Sequence, residues 1–164
     1  MSERHPDGSI TTEIRGHVLL MGLDRPEKYN GLTPKMLTDL THAYLELERN
    51  DDLRIGVLFG HGDNFTAGLD LPKCREFMLR GERPYPNDEI DLYGQTHKLT
   101  KPLITAVQGI TYTAGIEMAL AGDIIIAASN CRFSQIEVKR GIMPTGGSTF
   151  RYVERAGWGN AMYH

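Results

Sequence analysis

Short apolar runs, broken by glycine, proline and acid, divide the chain into segments of two periodicities. "SITTEIRGHVLLMGLDRP" reads as two strands joined at Arg15-Gly16-His17, and the second, Val18 to Leu23, is so continuously apolar that it predicts burial on both faces. Thr33-Pro34 supplies an N-cap followed by proline in the first turn. Leu37, Leu40, Tyr44, Leu45 and Leu47 then fall mostly on one face of a helix running to about Asn50. "RIGVLFG" is a buried strand, "LPKCREFMLR" a helix, and "GERPYPNDEIDLYG" a Pro/Gly/acid stretch expected to be a mobile surface loop. "KPLITAVQG" is the next buried strand, "TYTAGIEMALAG" a short glycine-led helix, "DIIIAAS" a further strand and "CRFSQIE" strand-like. Strands alternating with helices predict an α/β protein. No linker or low-complexity segment divides it, and 164 residues suffice for one core.

Composition narrows the function classes. A formal charge of −3 offers no general attraction to nucleic acid or acidic lipid, so an anionic ligand has to be held by local groups. Cys74 and Cys131 stand far apart in no metal-binding or redox spacing and read as reduced thiols. The polar start "MSERHPDGS" and the lack of any run of apolar residues long enough to span a bilayer predict a cytoplasmic chain without leader or membrane span. Gly60-His61-Gly62 follows a strand as a dinucleotide fingerprint would. Phe65 occupies the third glycine position, however, and no helix opens at once, which argues against nucleotide binding. Signatures of a P-loop, a nucleophile elbow and a zinc protease are absent, and the six histidines have no ligand spacing, so no metal site is expected.

What remains is a design used twice: a buried strand, a glycine-containing turn, then a helix start. "VLFGHGDNFTAGLDL" and "ITAVQGITYTAGIEMALAG" share the tripeptide Thr-Ala-Gly just before the helix. Helix starts carry unpaired N–H groups and partial positive charge, so two that face each other can hold one oxygen that becomes negative. Small residues at the turn would let a ligand reach the backbone. Either copy alone is as well explained as a tight turn. Glu117, in the first turn of the second helix, and Glu137, after "CRFSQI", could return to the same edge of the sheet. Singly, each reads as a solvated or capping carboxylate. Paired, they could divide acid and base work, because neighbouring carboxylates push their pKa values apart.

These residues resemble the crotonase superfamily, specifically the enoyl-CoA hydratase/isomerase family. The resemblance runs in order through "LDRPEKYNGLT", "FTAGLDL", "AVQGITYTAGIEMALAGDIIIAA", "FSQIEVKRGIMPTGGSTFR" and "GWGNAM". It implies a spiral of strand-strand-helix repeats and a role in lipid metabolism. The implied oxyanion hole consists of the backbone N–H groups of Leu69 and Ala114, with Glu117 and Glu137 as the catalytic carboxylates. Lys28, Tyr29, Ala67, Leu69, Asp70 and Leu71 lie along the implied coenzyme A channel, with Gly68, Gly115 and Thr145 beside the substrate and the attacking water. The implied reaction is syn addition of water to a trans-2-enoyl-CoA. Coenzyme A enters as part of the substrate, and no metal or redox cofactor is required.

The chain departs from the family in two respects. Thr113-Ala114-Gly115 stands where the family carries a run of glycines, and the chain stops at His164, before the helices that complete the acyl pocket and build the family's trimer or hexamer. The resemblance therefore implies a catalytic core over 1–164, truncated before a trimerisation region. Alternatives are an enoyl-CoA isomerase, a thioester hydrolase of the same fold, or a non-catalytic binding module. An RNA-binding relative uses a lysine-rich first helix. Here that helix is acidic on balance, with Lys35 and Arg49 as its only lysine and arginine, so no nucleic-acid partner is expected.

Overall fold

The computed structural model describes residues 5–86 and 90–163. Strands β1 (Ser9–Arg15) and β2 (Val18–Asp24) form the opening antiparallel hairpin, with Arg15 opposite Val18 and Gly16 at positive φ in the turn. Leu19, Met21 and Leu23 of β2 are fully buried, whereas Val18 and Leu20 on the other face are half-covered, so β2 is less enclosed than its apolar run predicts. After a 3₁₀ turn at Pro26–Lys28, helix α1 (Pro34–Arg49) starts as expected: the Thr33 hydroxyl accepts the N–H of Met36. Its apolar face, including Leu37, Leu40, Tyr44 and Leu47, is buried in the core.

Strand β3 (Ile55–Gly60) and helix α2 (Leu71–Arg80) form the second unit, and β4 (Leu103–Val107), β5 (Ile110–Tyr112) and α3 (Ala114–Ala121) the third. β6 (Ile124–Ala127), β7 (Arg132–Ser134), a 3₁₀ turn at Glu137–Arg140 and α4 (Ser148–Tyr163, broken at Gly157) form the fourth. The main sheet has the order β1-β2-β3-β4-β6, parallel from β2 onward. A second, smaller layer is built from β5 paired in parallel with β7, extended by single bridges between Thr66 and Thr111 and between Leu32 and Leu69. Each unit therefore gives one parallel strand to the large sheet, to which the first adds β1 at the edge, one short extended piece to the small layer, and then a helix. This is the strand-strand-helix spiral, and it stacks the strand-to-helix turns of successive units beside one another.

Two expectations need correction. Thr111 and Tyr112 extend as part of β5 instead of opening the helix, because Tyr112 donates to the Thr66 carbonyl and Thr66 to that of Ile110. The stretch expected as a surface loop at 81–94, of which 87–89 lie outside the described residues, is largely packed inward: Tyr85, Ile90, Asp91 and Leu92 are buried. Asp91 organises it. Burial pushes its carboxyl up, but the N–H groups of Tyr93, Gln95 and Thr96, together with Arg83 at 3.1 Å, outweigh burial and hold it below the usual carboxylate range.

Candidate active site

The first turn is fixed by backbone. Leu32 donates to the Gly68 carbonyl and Asp70 donates to that of Leu32, both at 2.8 Å, which leaves the N–H of Leu69 on the opposite side of the strand. Among the described residues that N–H has no acceptor. Asp70 caps α2 through its side chain and is clamped at 2.8 Å by the buried guanidinium of Arg25, which also donates to the Gly31 carbonyl. Buried Asn30 holds the other flank, donating to the carbonyls of His61 and Asn64.

The second turn is strained. Thr113, a β-branched residue, sits at φ 49 and ψ −119, a region that ordinarily demands glycine and costs roughly 1–3 kcal/mol otherwise. It is held there by donating to the Ser134 carbonyl of β7 at 3.1 Å while its own carbonyl accepts from Ile116 and Glu117. Ala114 begins α3, and its N–H likewise has no acceptor among the described residues.

The repeated Thr-Ala-Gly has a mutual explanation. A Cβ on Gly68 would collide with the Thr113 hydroxyl, and a Cβ on Gly115 with the methyl of Thr66, so each turn's glycine receives the other turn's threonine. The expectation that these small residues clear space for a ligand is therefore corrected: the space a side chain would take at Gly68 and Gly115 is filled by the two threonines. Ala67, Leu69 and Ala114 are on a cavity wall.

Both turns face a cavity of about 640 Å³, lined also by Glu117, Glu137, Tyr93 and Thr145. Glu117 lies one helical turn beyond Ala114 and so shares its face. It is 4% exposed, and its Oε1 accepts the N–H of Gly146 at 2.7 Å and the hydroxyl of Ser148 at 3.1 Å. Burial raises its pKa, opposed by those donors and by Arg151. Glu137 opens the 3₁₀ turn three residues beyond Ser134 and is 6% exposed; its Oε2 has no hydrogen-bond partner among the described residues. Burial raises its pKa too. Its own N–H opposes the rise and the nearby Glu117 adds to it. Two buried carboxyls thus face one cavity, each biased towards holding a proton, in the company of two unused N–H donors.

Asp70, Leu71 and Thr145 are also on the wall, and the Thr145 carbonyl is held by the side-chain amide of Gln95. Lys28 and Tyr29 are not. Both are exposed at the 3₁₀ turn, where the Tyr29 carbonyl accepts the N–H of Ala67. The sequence reading missed Tyr93, Ser148 and Arg151. Tyr93 was hidden in the supposed loop, where the apolar residues Ile90, Leu92 and Tyr93 close together were the available signal. Ser148 and Arg151 lay in "TGGSTFR" with no signal of their own.

The sequence profile of the enoyl-CoA hydratase/isomerase family matches residues 13–164. Enoyl-CoA hydratase EchA19 of Mycobacterium tuberculosis is 33% identical over 93% of this chain and 58% of its own length. The 1,2-epoxyphenylacetyl-CoA isomerase of Escherichia coli is 34% identical over 93% of this chain and 60% of its own. Among solved structures, that of a probable enoyl-CoA hydratase/isomerase from Mycobacterium abscessus superposes with a TM-score of 0.88 at 44% identity, covering 94% of this chain and 60% of that one. The chain spans about half to three-fifths of the length of the relatives it matches. With its turns, its cavity and its spiral of repeats, this chain has the crotonase fold and belongs to the enoyl-CoA hydratase/isomerase family.

Proposed function

We propose that this chain carries the catalytic core of an enoyl-CoA hydratase, adding water syn across the double bond of a trans-2-enoyl-CoA. The observation that supports this most is the convergence of two unpartnered backbone N–H groups and two buried carboxyls on one cavity. In this reading the thioester oxygen sits between the N–H groups of Leu69 and Ala114, which stabilise the negative charge that develops there more than they stabilise the substrate. Glu117 takes a proton from the attacking water, whose oxygen bonds to the β-carbon, and the Thr145 N–H helps to hold that water. Glu137, whose protonated form is favoured by burial and by Glu117, delivers its proton to the α-carbon as the enolate collapses. Coenzyme A runs past Ala67, Asp70 and Leu71, with Lys28 and Tyr29 at its outer end. No metal or redox group takes part. The assembly proposed for the whole protein is a trimer or a dimer of trimers, in which 1–164 is the catalytic core.

Steady-state kinetics on the intact protein test the reading. Glu117→Gln and Glu137→Gln should each slow crotonyl-CoA hydration by on the order of 10²- to 10⁴-fold while coenzyme A binding persists. Near-full activity in either variant would make that glutamate structural. An enoyl-CoA isomerase of the same fold then becomes the better reading, since double-bond migration can proceed with a single acid-base carboxyl.

A further inference from the structure

The carboxylate of Glu117 is tethered at one oxygen. Oε1 accepts the N–H of Gly146 at 2.7 Å, the N–H of Ser148 at 3.3 Å and the Ser148 hydroxyl at 3.1 Å. Oε2 accepts nothing from the described residues. Gly146 passes so near that a Cβ there would lie 2.7 Å from Oε2 and 2.6 Å from the Tyr93 ring. Ser148 itself is 2% exposed and is the first residue of α4, so its side chain has no solvent alternative to this bond.

We propose that Ser148 is a positioning residue for the hydration reaction: its hydroxyl and N–H, with the N–H of Gly146, fix the plane of the Glu117 carboxylate and leave Oε2 as the oxygen that receives the water's proton. The inference rests on the reading of Glu117 as the base. Without these donors the carboxylate plane could turn about its last torsion and meet the water at other angles. With three donors on one oxygen, turning the plane away would strand two backbone N–H groups in a buried site. The same donors favour the ionised form and so oppose the rise that burial imposes. The charged and titratable groups facing Glu117 are Arg151 from α4, which favours ionisation, Glu137 from the 3₁₀ turn, and Tyr93 from the packed loop. Of the donors, only the Ser148 hydroxyl can be deleted without touching backbone.

The test uses the intact protein and crotonyl-CoA, with kcat and KM measured across about pH 5 to 9. Ser148→Ala should lower kcat about tenfold near neutrality, leave KM within about twofold, and move the acid limb of the kcat profile up by about one pH unit, because a lost hydrogen bond to an ionised group favours its protonation. Ser148→Thr, which keeps the hydroxyl, should restore both. If circular dichroism shows Ser148→Ala unfolded, Ser148→Cys replaces it, and its weaker donor should move the limb less but in the same direction. A ¹³C-NMR titration of the Glu117 carboxyl makes the comparison without turnover and should show it titrating higher in the Ala variant. An unmoved limb and carboxyl titration, or a change in KM alone, overturns the role of Ser148. Glu117→Gln, run alongside, separates the two ideas: activity retained there overturns Glu117 as base, whereas its loss with an unmoved Ser148→Ala profile overturns only Ser148.

Discussion

Leu69 contributes a backbone hydrogen, and a side-chain scan would miss it. Its N–H is the one the Leu32 ladder does not use, so proline at this position removes the proposed oxyanion donor without deleting a sheet hydrogen bond. Leu69→Pro should lose about a hundredfold in turnover, equivalent to roughly 3 kcal/mol, and Leu69→Ala far less. Circular dichroism and coenzyme A binding must show both variants folded for the comparison to count, and normal turnover in the proline variant would remove Leu69 from the mechanism. Glu137 makes a separate prediction about stability. Its folded-state pKa is raised above the ordinary 4.5, so the fold binds this proton more tightly than the unfolded chain. The resulting stabilisation is fully present below pH 4.5 and is lost as pH rises through the folded value. Glu137→Gln should therefore melt close to the parent near pH 4 and above it at neutral pH. Thermal melts at both pH values check this, and a variant that melts lower at neutral pH contradicts it.

At the scale of elements, the two strand-to-helix turns behave as one joint. Gly115 is the cleaner probe because its φ is not positive, whereas Gly68, at φ 94, would be strained by any side chain. Alanine inside a helix ordinarily gains about 1 kcal/mol over glycine. Here the added methyl meets the Thr66 methyl, and Gly115→Ala should instead cost roughly 1–3 kcal/mol, as overpacking does in close-packed interiors. Thr66→Ser removes that methyl and keeps the hydroxyl, which donates to the Asn30 carbonyl and accepts the N–H of Gly68. The double variant should recover most of the loss in chemical denaturation. Simple additivity of the two changes would mean that the turns do not interlock. The same joint explains how Thr113 tolerates its backbone angles: a hydroxyl filling the space over Gly68 and a bond to β7 over-determine a conformation that threonine alone would avoid.

Across the whole molecule, apolar side chains are left uncovered along one end of the sheet and on the last helix. Ile124 and Ile126 on the terminal strand β6 are 54% and 57% exposed, and Trp158 and Met162 on α4 are 69% and 67% exposed. Patches of this kind mark surfaces that meet other protein. The 164-residue chain on its own should accordingly self-associate. Light scattering checks it, and a clean, stable monomer would show that these residues tolerate water. Among the described residues no helix is long and apolar enough to cross a membrane.

The sequence by itself determined whatever depends on neighbours along the chain. The Thr33-Pro34 helix start, the hairpin at Gly16 and the placing of Glu117 one turn into a helix were all legible, because capping, turn chemistry and periodicity act over a few residues. The doubled Thr-Ala-Gly pointed to a shared site for a reason that proved incomplete. Only the tertiary structure decided that each glycine serves the other turn's threonine, since that contact joins residues some fifty positions apart and leaves no local pattern. It also decided that residues 90–93 turn inward. A stretch rich in proline and acid reads as solvated until a single buried carboxylate, Asp91, gathers the N–H groups and the arginine that make its burial tolerable. Finally, it decided which oxygen of Glu117 is tied down, because the donors arrive from "TGGS", about thirty residues downstream, at the start of a helix that Arg151 and Arg155 anchor to the carbonyls of Gly94, Gly122 and Asp123.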